Sequence, residues 1–272
     1  MADTVKLSSP ATGEFWEIPI LFEDGHLLAL NKPSQLLVSP DRSEPKRPSL
    51  IQLLHRDIER GAPWAKQRGL TYLMNAHRLD FESSGVILLV KNKPALVALA
   101  AQFAIEKPSR IYAALARGTS SADTFATDVK LAPHPLQMGV TRVDPKDGKL
   151  SHTDFVVRER FDRWLLLECR PFPDRPHQIR VHLKHLRLPL VGDNIYGGGH
   201  PLLLSSLKPN YRLKQGQEER PLMSRPALHA EQVIISHPAT AEKITLSAPW
   251  PKDLTVSIKY LRRYTAGAQI KV

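Results

Sequence analysis

The sequence has little cysteine, with a single residue, Cys169, among 272. One cysteine excludes an internal disulfide and a zinc site built from cysteines. Cys169 ends the apolar run WLLLEC, which is typical of a buried, unreactive thiol. The chain also lacks an apolar run long enough to cross a bilayer, and its first ten residues lack the apolar centre of a secretory signal. These absences predict a soluble, cytoplasmic protein.

Acidic residues are also in short supply relative to basic ones. The chain has 38 Lys and Arg against 27 Asp and Glu, a net charge of +11. A surplus of this size favours a polyanionic partner, either nucleic acid or an anionic membrane surface. The charge alone does not choose between these two.

Short apolar runs with scattered helical patterns predict an α+β fold. Strands are expected over residues 18–30 (two, around Asp24-Gly25), 86–90, 109–117, 153–159, 164–170, 227–235 and 243–247. Helices are expected after Ser49, after Asn92, near His177 and over residues 254–264. Residues 197–221 are interpreted as a long surface loop. The expected organisation is an irregular lead-in over 1–17, one main domain over 18–265 and a tail over 266–272.

One segment, NAHRLDFESSG over residues 75–85, concentrates chemistry directly before the strand predicted at 86–90. It places a histidine, an arginine and two acids in a loop that leads into the core. Functional groups often lie on loops at the edge of a rigid sheet. From spacing alone, a solvated turn is an equally good interpretation.

A second segment, DRPHQIRVH over residues 174–182, continues into PLVGDNIYG. On a helix, His177, Arg180 and Lys184 would share one face. An arginine there could hold a carboxylate ionised, although a solvated basic face is the commoner outcome. His182 and His185 are three residues apart, but no acidic or cysteine ligand has matching spacing, so we expect no metal.

Five motifs in order resemble those of the RluA-type pseudouridine synthases. HRLD with the later SG resembles the signature loop of that family, and DGHLLALNKP resembles its opening segment. SRIYAA resembles its tyrosine strand, RPHQIRVHLKHLRLPLVGDNIYG its third motif, and LHAEQVIISHP with APWPKDL its C-terminal stretch. The resemblance runs from about Ile18 to about Tyr264. It implies the synthase catalytic fold, with a mixed, largely antiparallel sheet flanked by helices and loops.

The resemblance also implies roles for individual residues. Asp80 matches the catalytic aspartate, Tyr112 the tyrosine that packs on the target base, and Arg180 the basic partner of the aspartate. Arg78 matches the arginine that enters the space left by the flipped nucleotide. The remaining RNA contacts expected from the matched motifs are His77, Arg175, His177 and Gln178.

The chain departs from the family pattern at two places. DRPH over residues 174–177 stands where Gly-Arg-Thr/Ser-His is usual, and Ser83 stands where threonine is commoner. Pro176 fixes a backbone angle and removes a donor, so the role of Arg175 stays open.

The implied activity is isomerisation of uridine to pseudouridine in structured RNA, ribosomal or transfer, by a monomer without metal or organic cofactor. One alternative is a non-catalytic RNA-binding factor of the same fold, against which the presence of Asp80, Tyr112 and Arg180 argues. Another is a histidine-dependent nuclease using His77 or His177. Cleavage shortens RNA whereas isomerisation leaves its length unchanged, so a gel separates the two.

Overall fold

The structure, a computed structural model, describes residues 3–41, 44–105, 109–197, 201–213, 216–265 and 269–270. These residues fall into two compact units, which are treated one at a time. The first comprises Met1–Arg110 and Ala230–Pro249, and the second comprises Ile111–His229 and Trp250–Val272. The chain changes unit at three points, of which two (110/111 and 229/230) fall inside strands and the third (249/250) falls in the segment between a strand and a helix. No linker marks the first two. One main domain over 18–265 was the expectation.

The described residues form strands and helices with the following bounds. The strands are β1 (Thr4–Ser8), β2 (Phe15–Glu23), β3 (Leu27–Lys32), β4 (Met74–Asn75), β5 (Ser84–Val90), β6 (Ser109–Arg117), β7 (Thr124–Thr127), β8 (Leu131–Pro133), β9 (Thr141–Val143), β10 (His152–Phe161), β11 (Trp164–Phe172), β12 (Leu228–Ser236), β13 (Lys243–Ser247) and β14 (Gln269–Ile270). The helices are α1 (Leu50–Glu59), α2 (Pro63–Gln67), α3 (Lys93–Ala104), α4 (Gln178–His185) and α5 (Lys252–Tyr264).

The first unit is built on an antiparallel arrangement in the order β1-β2-β3-β5, with β4 also paired to β5. Every residue of β5 is buried, as its continuous apolar run predicts. Ser49 caps the start of α1, and its hydroxyl accepts a hydrogen bond from the amide of Gln52. Asn92 caps the start of α3 in the same way, and its side chain accepts a hydrogen bond from the amide of Ala95. β3, β5, α3 and the β12–β13 pair share one apolar core.

The N-terminal residues correct one prediction. Residues 1–17 were expected to be irregular, but β1 pairs antiparallel with β2 over its whole length. Val5 and Leu7 are buried while Lys6 is exposed, so the short segment has the two-residue alternation of a half-buried strand. Five residues give too short a pattern to separate from loop sequence.

The second unit is also antiparallel, in the order β6-β11-β10, with β7 and β14 paired to β10 and β8 paired to β9 as a separate hairpin. Its core joins β6, β10 and β11 to α5 and to the chain around residues 202–227. α4 follows β11 after a short loop. This unit places Tyr112 on β6 and Arg180 on α4.

The predicted α+β class and largely antiparallel sheet are confirmed. The predicted long loop holds no helix or strand in its described part, 197, 201–213 and 216–221. Of the predicted tail, only β14 is described. No helix in the described chain combines the length and apolar character needed to cross a bilayer.

Candidate active site

Asp80 lies in the loop between β4 and β5, in the first unit. Its side chain is half-buried, and its backbone carbonyl accepts the amide of Ser83 at 3.2 Å, which closes a turn. Leu79, on its N-terminal side, is buried and anchors the loop in the core. The loop therefore holds the carboxylate at a defined place near the surface.

A buried lysine attaches this loop to the end of β3. Lys32 is fully buried, and its ammonium donates to the carbonyl oxygens of Pro33 at 2.8 Å, Leu36 at 2.7 Å and Phe81 at 3.4 Å. The amide of Gln35 also donates to the Phe81 carbonyl, at 2.8 Å. Phe81 follows Asp80 directly, so these bonds restrain the backbone beside the carboxylate.

The neighbours of Asp80 in the HRLD sequence divide between core and surface. His77 is 8% exposed, and its Nε2 accepts the amide of Leu88 on β5 at 3.1 Å. Burial, with a smaller effect from the positive charge of Arg110, lowers the pKa of His77 to about 3. Arg78 is exposed, with no side-chain partner in the described part of the chain. The surroundings of His77 favour support of the loop, whereas those of Arg78 leave it available to RNA.

Gly85 lies at the start of β5, where the loop joins the strand. Its φ is +120°, a conformation that side chains disfavour, and a Cβ there would lie 2.2 Å from the carbonyl oxygen of Ala230. The close approach of the two backbones explains a glycine at the end of the motif.

In the second unit, Tyr112 lies on β6 and is 5% exposed. Its hydroxyl donates to Oδ2 of Asp174 at 2.7 Å. Asp174 is half-buried in the loop between β11 and α4. The hydrogen bond to a carboxylate fixes the direction of the tyrosine hydroxyl.

Arg180 lies on α4 and is 1% exposed. Its Nε donates to Oδ2 of Asp193 at 2.7 Å and its Nη2 donates to Oδ1 at 2.9 Å, which makes a bidentate pair. Oδ1 of Asp193 also accepts hydrogen bonds from the amides of Ile195 and Tyr196, each at 3.0 Å. Asp193 thus orients the guanidinium. The pairing of Arg180 with Asp80 stays a prediction.

The other residues predicted in the third motif connect α4 to its surroundings. His177 precedes α4 with a left-handed φ of 57°, and its Nδ1 lies 2.9 Å from the Tyr196 hydroxyl. Gln178 is buried, with Oε1 accepting the amide of Arg175 at 3.1 Å and Nε2 donating to the carbonyl of His152 at 2.7 Å. These bonds favour a structural role for Gln178, and RNA contact by Arg175 and His177 stays a prediction.

The histidines of α4 do not form a metal site with neighbours in the described chain, where no group of three potential ligands occurs. His182 is buried, and its ring nitrogens lie 2.9 Å from the Thr153 hydroxyl and 3.3 Å from the Val129 carbonyl. Burial lowers the pKa of His182 to about 4. His185 is exposed. His182 therefore acts as a neutral core residue.

Sequence reasoning missed the supporting residues. Lys32 and Asp193 were within the matched motifs but had no assigned role, and Asp174 was noted only as a departure from the pattern. Lys32 reaches Phe81 across 49 positions of the chain, Asp174 reaches Tyr112 across 62, and Asp193 reaches Arg180 across 13. No rule of helix or strand spacing covers such separations, so the motif text alone carried no signal for these pairs.

Comparison with known proteins gives a consistent result. The family model described as RNA pseudouridylate synthase matches residues 26–185, more than half of the chain. Ribosomal large subunit pseudouridine synthase D of Xanthomonas campestris pv. campestris is 35% identical over 252 residues, covering 92% of this chain and 71% of that protein. The protein of the same name from Xylella fastidiosa is 34% identical over 251 residues, with the same coverage.

Solved structures agree in fold. Human RNA Pseudouridylate Synthase Domain Containing 4 superposes with a TM-score of 0.66 at 21% identity, covering 89% of this chain and 92% of that one. Human RNA Pseudouridylate Synthase Domain Containing 1 gives 0.65 at 21% identity, covering 94% and 90%. The fold is that of pseudouridine synthases.

The chain belongs to the RNA pseudouridylate synthase family. It is an RNA pseudouridine synthase, an isomerase that converts uridine in RNA to pseudouridine. The predicted family and activity are confirmed, and nothing in the comparisons favours the non-catalytic alternative.

Proposed function

We propose that this protein isomerises particular uridines of ribosomal RNA, with Asp80 as its catalytic residue. The observation that carries the ribosomal substrate is 35% identity, across most of the chain, to a relative named for the large ribosomal subunit. The proposal includes action as a monomer in the cytoplasm, where ribosomal RNA would be met.

The reaction breaks the bond between C1′ of the ribose and N1 of uracil, then joins C1′ to C5. Nothing is oxidised and no group enters or leaves, so side chains alone can supply the chemistry. A carboxylate is needed beside the sugar, as nucleophile or as base. Asp80 fills this role because Lys32 and Leu79 restrain its loop, which keeps the carboxylate in place before RNA arrives.

The target nucleotide must leave its stack, at a cost of a few kcal/mol. Stacking on an aromatic ring recovers about 1–3 kcal/mol per base, and Tyr112 has this role in the proposal. Arg78 enters the gap left in the RNA, in keeping with its exposed guanidinium. Arg180, which Asp193 orients, has the role of the basic residue that acts together with Asp80 in this proposal.

The experiment is site-level mapping of pseudouridine in total RNA from cells that lack this gene and carry either the wild-type protein or Asp80→Asn. The asparagine keeps the shape of the side chain and removes its charge. We expect one or a few ribosomal positions to depend on the gene and to be restored by wild type only. RNA affinity of the purified variant should stay within a few-fold, since phosphate contacts supply most of it.

Glu82→Gln is the matched control, because it removes a carboxylate two positions along the same loop and should restore modification. Gene-dependent sites confined to transfer RNA would overturn the ribosomal assignment. Turnover by Asp80→Asn comparable to wild type would overturn the catalytic assignment.

A further inference from the structure

The Tyr112–Asp174 pair lies in the second unit. Tyr112 is almost fully buried, and its hydroxyl donates to Asp174 at 2.7 Å. The next residue fixes this loop, because the Arg175 amide donates to Gln178 at 3.1 Å and Arg175 Nε donates to the Leu150 carbonyl at 2.9 Å. The carboxylate is therefore held against the hydroxyl.

Isomerisation leaves one proton to be removed. When C5 of uracil joins C1′, C5 becomes tetrahedral and carries both the sugar and its original hydrogen. Restoring the aromatic ring breaks the C5–H bond, whose electron pair re-forms the C5=C6 double bond. While C5 is tetrahedral, the ring has a double bond between C6 and N1. The π electrons of that bond move to N1, which takes up a proton. The step thus needs an acceptor for the C5 proton, while the gain of a proton at N1 balances the charge.

We propose that Asp174 receives the hydroxyl proton of Tyr112 while the Tyr112 oxygen removes the proton from C5. This inference rests on the proposed function, in which Tyr112 packs on the target base. The C5 hydrogen leaves from the face of the uracil ring, which is the side that a packed tyrosine occupies. Asp174 acts through Tyr112 and does not touch the base.

A tyrosine hydroxyl alone is a poor base at neutral pH, since accepting a proton would leave its oxygen positively charged. An ionised carboxylate only accepts hydrogen bonds, so the tyrosine hydrogen points toward Asp174 and the lone pairs of its oxygen point elsewhere. When the oxygen gains the C5 proton, its own hydrogen passes 2.7 Å to Asp174, and the tyrosine ends neutral. Asp174 then loses the proton to solvent.

The test uses an RNA substrate carrying deuterium at C5 of the target uridine, in single-turnover reactions at saturating RNA. Asp174→Asn keeps a hydrogen-bond acceptor and removes the base. We expect it to form product about 10²–10⁴-fold more slowly, the range for loss of a general base, with RNA affinity unchanged. Deprotonation should then limit the rate, so the deuterium isotope effect should exceed that of wild type.

Tyr112→Phe removes the hydroxyl alone, and the double variant should be no slower than Tyr112→Phe, because the two residues serve one step. Asp162→Asn, an exposed carboxylate of the same unit, is the control and should match wild type. A slower Asp174→Asn with an unchanged isotope effect would show a structural role only and overturn the inference. A wild-type rate for Asp174→Asn would also overturn the inference.

These outcomes are distinct from failure of the proposed function. If Asp174→Asn is fully active while Asp80→Asn is inactive, the proton route is wrong and the enzyme assignment stands. If wild-type protein leaves ribosomal uridines unmodified, the proposed function itself fails, whatever the Asp174 variant does on model RNA.

Discussion

At the scale of residues, the Arg180–Asp193 pair decides what substitution of Arg180 can show. Both side chains are essentially excluded from solvent and share a bidentate contact. Removing one partner of such a pair leaves a buried charge and costs about 3–5 kcal/mol. A change of Arg180 alone therefore alters stability together with any effect on Asp80. The catalytic role is better tested through Asp80 itself.

His77 gives a pH dependence of stability. Its pKa is near 6.5 when unfolded and about 3 in the native state, so below pH 6.5 the unfolded chain gains a proton that the native ring does not. Stability should fall as pH drops from about 6.5 toward 3, by roughly 1.4 kcal/mol per pH unit. In His77→Gln, which cannot titrate, the loss between pH 7 and pH 5 should be smaller by about 2 kcal/mol.

Urea unfolding of both proteins at several pH values measures this difference. His185→Gln is the control, since His185 is exposed and its replacement should leave the pH dependence close to wild type. Parallel pH profiles for wild type and His77→Gln would show that the native ring titrates normally.

At the scale of elements, the approach of β5 to residue 230 makes Gly85 irreplaceable. Alanine there meets both a disfavoured φ of +120° and the Ala230 backbone, with its Cβ 2.2 Å from the carbonyl oxygen. A backbone neighbour cannot move aside as a flexible side chain can. We expect Gly85→Ala to lower the free energy of unfolding by more than about 3 kcal/mol, measured by urea denaturation.

Gly139 offers a matched comparison. Its φ is +77°, but nothing lies within 4 Å of a Cβ built there. Gly139→Ala carries the backbone penalty alone, about 1–2 kcal/mol. Equal losses for the two variants would mean that the contact with Ala230 relaxes and that φ alone explains the glycine.

Some of the helices and strands could be predicted from the sequence and others could not. β13 has its predicted bounds, and α1 and α3 begin after the predicted caps, because local patterns and caps determine them. β1 and the β8–β9 hairpin were missed, since three to five residues carry too little periodicity. In the candidate site, Asp80 and Tyr112 were proposed from the motifs. The motifs did not suggest Asp174 and Asp193, because their hydrogen bonds to Tyr112 and Arg180 are tertiary contacts.

At the scale of the whole molecule, the net charge of +11 can act on RNA only through positive side chains that are exposed and have no acidic partner. Arg212 is exposed, with no side-chain partner in the described chain. Arg262 looks equivalent in the sequence, yet its Nε donates to Glu159 at 2.9 Å, and this hydrogen bond raises the pKa of Arg262. Charge counting cannot separate these two arginines, whereas the structure does.

This difference predicts how RNA binding responds to salt. Each arginine that contacts a phosphate steepens the fall of log K with log salt by about 0.7–0.9. We expect Arg212→Gln to reduce the slope by about one such contact for ribosomal fragments and for scrambled RNA alike, since phosphates carry no sequence. Arg262→Gln should leave the slope near wild type, because Glu159 already neutralises that guanidinium. Fluorescence anisotropy at five salt concentrations, in the Asp80→Asn background, measures both slopes. Equal reductions would show that RNA displaces Glu159 from Arg262 and that ion pairing does not remove an arginine from the binding surface.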